Sequence, residues 1–214
     1  TATQAEDFLT RYEIVSHLPN TATGFSGTLI REIATGAYTL AIRSTEYLNA
    51  DEGGDWERDG LPGTDGEILL KGFAFGQIAS MESYYDHLKA GESYDLGSGT
   101  WARDPILADF KSQFGQNGSG GVLNVSGYSL SGNLVNVFMA LHPEVSRAHL
   151  FNATGSGNIG RGNLQDMVGD LRARLAAAGI NVSDPSNENP NFPFDTTPYR
   201  LITAALQFEY NTSY

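Results

Sequence analysis

Val122-Leu123-Asn124-Val125-Ser126-Gly127-Tyr128-Ser129-Leu130-Ser131-Gly132 decides the fold class. Val122 to Val125 reads as a short strand. Ser126 to Gly132 is a turn of small residues, and Leu134 to Leu141 is an apolar helix closed by His142-Pro143. A serine between a strand and a helix, with small residues two before and two after it, has the layout of a Gly-x-Ser-x-Gly elbow. The small neighbours are needed because the helix leaves the turn packed against adjacent strands. Gly127 meets that need, whereas Ser131 stands where glycine is usual and Gly132 follows it.

Outward from the elbow, Ala148 to Asn152 reads as a second strand and Leu164 to Ala178 as a further helix with apolar positions Leu164, Met167, Val168, Leu171 and Leu175. Upstream, Gly27 to Ile33 and Tyr38 to Arg43 flank a turn at Ala34 to Ala37 and read as a hairpin. Asp51 to Gly66 reads as an acidic, glycine-rich loop. Glu67 to Lys89 is expected to form a long amphipathic helix, from Ile68, Leu69, Phe73, Ile78, Met81, Tyr85 and Leu88. Pro105 to Phe114 is expected to be another helix, followed by a glycine loop at 115–121. Asn181 to Pro198 is irregular, and Tyr199 to Tyr210 is again helical in pattern. Strands alternating with helices imply a mostly parallel sheet with helices on both faces, in one α/β domain over residues 1–214.

The 214 residues carry a formal net charge of -12, with basic residues scattered singly. Nucleic acid and anionic membranes require positive potential and are therefore excluded as expected partners. No cysteine is present, which removes disulfides, thiolate metal sites and a cysteine nucleophile. No run approaches the roughly 18 apolar residues of a membrane span, so no transmembrane segment is expected. Thr1 to Phe8 lacks the layout of a signal peptide, and the chain is expected to be soluble and a processed or excised piece.

Four segments in order carry a family likeness: Thr23-Gly24-Phe25-Ser26-Gly27-Thr28-Leu29, Thr39-Leu40-Ala41-Ile42-Arg43-Ser44-Thr45-Glu46, Val125 to Gly132, and Phe151-Asn152-Ala153-Thr154-Gly155. Together they resemble the class 3 lipase group of α/β-hydrolases, in particular bacterial members found within larger secreted proteins. The resemblance implies an α/β-hydrolase fold, incomplete at its C-terminal side, and an ester or lipid substrate. It implies Ser129 as nucleophile, with an oxyanion hole formed by Thr45 and the backbone N–H of Leu130. Each such donor lowers the barrier by roughly 3–4 kcal/mol. Ser44 stands where that family has glycine. No cofactor or metal is implied, and the setting implied is extracellular.

A serine needs a base, and in this fold the order is Ser, then Asp or Glu, then His. The histidines are His17, His87, His142 and His149, none in the C-terminal part. Asp184 and Glu188 are candidate acids. The acid and base are therefore expected on a second polypeptide or a C-terminal continuation, packed on a sheet edge left open after the Tyr199 to Tyr210 helix. A non-catalytic hydrolase-like binding module is the alternative. Gly155-Ser156-Gly157-Asn158-Ile159-Gly160 with Asp184 also matches a dinucleotide-binding pattern, but the prolines that follow leave little room for its remaining strands. Asp55 to Gly66 begins like a calcium loop yet lacks a carboxylate at the twelfth position. Phe73, Phe75, Met81, Tyr84 and Tyr85 fit either an acyl pocket or a core.

Overall fold

The computed structural model describes residues 2–44, 68 and 74–153. Helix α1 (Ala2–Arg11) leads into β1 (Tyr12–Leu18), followed by β2 (Gly27–Glu32) and β3 (Tyr38–Ile42). Helix α2 (Phe75–Ala90) precedes a small hairpin of β4 (Glu92–Asp95) and β5 (Thr100–Arg103). A 3-10 turn at Pro105–Leu107 then enters α3 (Ala108–Phe114). The chain continues through β6 (Leu123–Tyr128), α4 (Leu130–Leu141) and β7 (Val145–Phe151).

The main sheet runs β1-β2-β3-β6-β7, with β1/β2 and β2/β3 antiparallel and β3/β6 and β6/β7 parallel. It is a mixed α/β sheet among the described residues, rather than the mostly parallel one expected. The reason is local: β1, β2 and β3 follow one another through short loops, and short loops impose antiparallel pairing. In the β2–β3 turn, Gly36 takes φ 72 and donates its N–H to the Glu32 carbonyl at 2.8 Å, a conformation that suits glycine.

Helices α2, α3 and α4 all pack on one face of the sheet. Tyr38, Leu40 and Ile42 alternate on that face and are buried, in register with Leu123, Val125 and Gly127. Tyr38 meets Phe110 of α3 edge-on at 5.0 Å, and a Cβ on Gly127 would meet Val135 of α4. Tyr84 of α2 donates a hydrogen bond to Ser16 at 3.1 Å and lies against Gly27. The helix expected over Leu164 to Ala178, and with it the covering of the second face, lies outside the described residues, as do the Tyr199 to Tyr210 helix and the expected sheet edge.

Helix α2 is embedded rather than amphipathic. Ile78, Met81, Tyr84, Tyr85 and Leu88 are fully buried, so Met81, Tyr84 and Tyr85 belong to the core and not to an acyl pocket. Ile68 is helical and buried, whereas residues 69–73 of the expected helix are outside the described set. The helix stops at Gly91, whose φ of 78 lets its N–H reach the carbonyls of His87 and Leu88. Tyr85 joins three helices, with Phe138 of α4 at 4.9 Å and Phe110 at 6.3 Å, both edge-on.

Candidate active site

Strand β6 runs through Tyr128 and α4 begins at Leu130, so the turn between them is Ser129 alone, tighter than the Ser126 to Gly132 turn expected. Ser129 has φ 52 and ψ -121, a conformation that costs an L-residue on the order of 1–3 kcal/mol. The surroundings hold it there. Its N–H donates to the Phe151 carbonyl of β7 at 2.9 Å, and its carbonyl accepts from Gly132 N–H at 2.9 Å.

The small residues around the elbow have separate reasons. A Cβ on Gly127 would lie 2.7 Å from the Ser131 carbonyl oxygen and 2.8 Å from a Val135 methyl, and one on Gly132 would collide with Ala153. Ser131, which departs from the usual glycine, is fully buried and used: its hydroxyl accepts from Tyr128 N–H at 2.7 Å and donates to the Tyr128 carbonyl at 2.8 Å. The extra hydroxyl thus ties the end of β6 to the first turn of α4. Replacing Gly127 by alanine is expected to destabilise the fold by about 1–3 kcal/mol through overpacking. A urea midpoint unchanged from wild type would contradict that packing.

Leu130 is buried, and its N–H lies in the first turn of α4, where backbone N–H groups have no intrahelical acceptor and the helix dipole favours negative charge. Ile42 is paired with Gly127, so the chain leaving β3 through Arg43 and Ser44 departs at the same end of the sheet as Ser129. Arg43 N–H donates to the Ser26 carbonyl at 3.0 Å. Thr45 itself lies outside the described residues, as do Asp184, Glu188, the Asp55 to Gly66 loop and the Gly155 to Gly160 segment. Beside the elbow, the register partners Tyr128 and Phe151 are both more than half exposed.

The histidines are placed as helix-end, packing and strand residues. His142 ends α4, at the opposite end from Ser129 of a 12-residue helix about 18 Å long. It is buried, with Nε2 at 3.0 Å from both oxygens of fully buried Glu82 and Nδ1 3.4 Å from Glu144. Burial alone would lower its pKa, but the Glu82 charge and the contacts with Glu144 outweigh this and push it up to about 9. His87 is stacked on Trp101 at 3.8 Å and bonded to Glu92 at 2.7 Å. His17 contacts the Thr28 hydroxyl at 2.9 Å. His149 is exposed on β7, paired with Ser126, and its side chain makes no hydrogen bond among the described residues.

Sequence reasoning missed the Glu82–His142–Glu144 cluster, because Glu82 and His142 are 60 residues apart and only packing of α2 on α4 joins them. Among the described residues, no group of three or more His, Cys, Asp or Glu side chains is arranged to hold a metal ion, and no helix is long and apolar enough to cross a membrane. The geometry defines a mixed α/β protein with a strained serine between a central parallel strand and a buried helix. Comparison with protein-family models, curated proteins and solved structures returned no match.

Proposed function

We propose that this chain carries the nucleophile and oxyanion hole of a serine ester hydrolase of lipase or carboxylesterase type. The observation that carries the proposal is the backbone of Ser129: a non-glycine residue held at positive φ between β6 and α4. Strain of this kind persists only where surrounding structure enforces it, and it concentrates at functional sites. An elbow presents the serine Oγ at the C-terminal end of the strand, where open α/β sheets receive their ligands.

In the proposed reaction the Ser129 Oγ attacks the ester carbonyl carbon as a base takes its proton. The Leu130 N–H and Thr45 hold the oxygen that becomes negative. Collapse of the tetrahedral intermediate expels the alcohol, which takes back that proton, and water then releases the acid by the same steps. The exposed Tyr128 and Phe151 side chains offer apolar surface for an acyl group. With His17, His87 and His142 bonded elsewhere and His149 set within β7 opposite Ser126, three residues before the elbow, the base in this proposal is an imidazole from a second polypeptide or a C-terminal continuation.

The test is turnover of p-nitrophenyl esters by the complete protein and by Thr45→Val. Loss of one oxyanion donor is expected to lower kcat by roughly 10²–10³-fold with KM little changed. Equal kcat in the two proteins would remove Thr45 from the reaction, and no turnover by the complete protein would favour the second reading. That reading is a hydrolase-like binding module without catalysis, favoured by the engagement of those three histidines.

A further inference from the structure

A cleft of about 280 Å³ opens between the loop after β1, helix α2 and the β4–β5 hairpin. It is not part of the Ser129 site. Leu18, one of its lining residues, lies in one row of paired residues with Gly27, Ile42 and Gly127. Three strand spacings of about 4.8 Å place it about 14 Å from the elbow strand, at the same end of the sheet.

The lining narrows the chemistry. Asn20 and Thr21 come from the loop, Ser80 and Ser83 from α2, and Tyr94 and Trp101 from the hairpin. None of these carries a charge at neutral pH, so nothing there matches a phosphate, a carboxylate or an ammonium group. The wall pairs apolar surface with four hydroxyls, from Thr21, Ser80, Ser83 and Tyr94, which an acyl chain would desolvate without replacing their hydrogen bonds.

The polar groups are arranged in advance. Thr21 and Thr23 hydroxyls are 2.9 Å apart, and Thr23 and Ser80 hydroxyls 2.8 Å apart, so three hydroxyls form a relay that fixes the loop to α2. The loop is further closed by Thr21 N–H to the Phe25 carbonyl at 2.9 Å and Gly24 N–H to the Thr21 carbonyl at 3.0 Å. Two bonds use two of the relay's three O–H donors, leaving one donor and several lone pairs for a ligand. The Ser83 and Tyr94 hydroxyls have no hydrogen-bond partner among the described residues.

The aromatic side is equally fixed. Trp101 is backed by His87, stacked at 3.8 Å with 6° between planes, and by Tyr94 edge-on at 5.4 Å. A neutral ligand that satisfies hydroxyls on one side and lays C–H groups on indole on the other is a sugar ring. The volume falls just below that of drug-sized clefts, roughly 300–1,000 Å³, and so suits one ring rather than a chain. We propose that this cleft binds a single saccharide ring, independently of any reaction at Ser129.

The sequence contains two tryptophans, Trp56 and Trp101, so a full-length Trp56→Phe protein reports on Trp101 alone. The probes are the neutral methyl glycosides of glucose, galactose, mannose and N-acetylglucosamine. At least one is expected to change Trp101 emission saturably in the millimolar range. Ser83→Val and Tyr94→Phe remove hydroxyls that hold nothing else together, and each is expected to weaken binding at least threefold with the thermal midpoint little changed. Failure of all four glycosides to saturate would overturn the proposal. So would undiminished binding in the Ser83→Val/Tyr94→Phe double variant, or a stronger response to hexanol than to any glycoside. Loss of ester hydrolysis in Ser129→Ala has no bearing on this result, so the two sites are tested separately.

Discussion

Ser129→Ala is expected to lower ester hydrolysis by the complete protein roughly 10⁴–10⁶-fold, the scale of losing a nucleophile that acts as one unit with its base. The fold should survive, because Ser129 holds its place through its backbone N–H and carbonyl. Ser129→Gly separates strain from chemistry. Glycine adopts φ 52 without penalty, so this variant should be more stable than wild type by about 1 kcal/mol while equally inactive. Circular dichroism and urea unfolding of both variants, beside their ester turnover, check the pair. A stable variant that kept wild-type turnover would remove Ser129 from the reaction.

The second large effect lies in the interior. His142→Ala leaves the fully buried Glu82 carboxylate without its cation, and breaking such a pair costs about 3–5 kcal/mol. Native domains have only about 5–15 kcal/mol to lose. The pH dependence follows from the direction of the shift. His142 has a folded pKa raised from 6.5 to about 9, so its contribution is complete below pH 6.5 and is lost as the pH rises through 9. The decline is at most about 1.4 kcal/mol per pH unit for one proton.

Two neighbours titrate elsewhere. Burial raises Asp86 to about 6 against the pull of Lys89, so stability also falls modestly between pH 3.8 and 6. Burial acts to raise Glu144 too, but the hydrogen bond with His142 prevails and takes it down to about 2. Its contribution is therefore present above pH 4.5 and lost as the pH falls toward 2. Urea unfolding from pH 5 to 10 should show the alkaline decline in wild type and not in His142→Ala. An unchanged slope in the variant would contradict the assignment.

The readable parts of the sequence were those with local causes. Gly36 and the alternating Tyr38, Leu40 and Ile42 announce the β2–β3 hairpin, and Gly127 and Gly132 announce the elbow because each faces a neighbour that excludes a side chain. Strand β1 was not legible. Its register shifts between Ile14 and Ser16, which breaks the alternation of two that marks a strand. The four-residue strands β4 and β5 are too short to show a period, and their aromatic pairing depends on contact with α2. Ser131 stands where the motif has glycine, and the use of its hydroxyl, which satisfies both backbone groups of Tyr128, is visible only in three dimensions. A catalytic base is a long-range contact, and spacing along the chain carries no trace of it.

The strained elbow of Ser129 as an activated nucleophile is tested most directly by a fluorophosphonate probe applied to the complete protein, followed by peptide mapping. The expected result is one adduct per chain, on the peptide containing Ser129, absent when Ser129→Ala is treated in the same way. A folded protein that stays unlabelled, or that is labelled equally in Ser129→Ala, would contradict it.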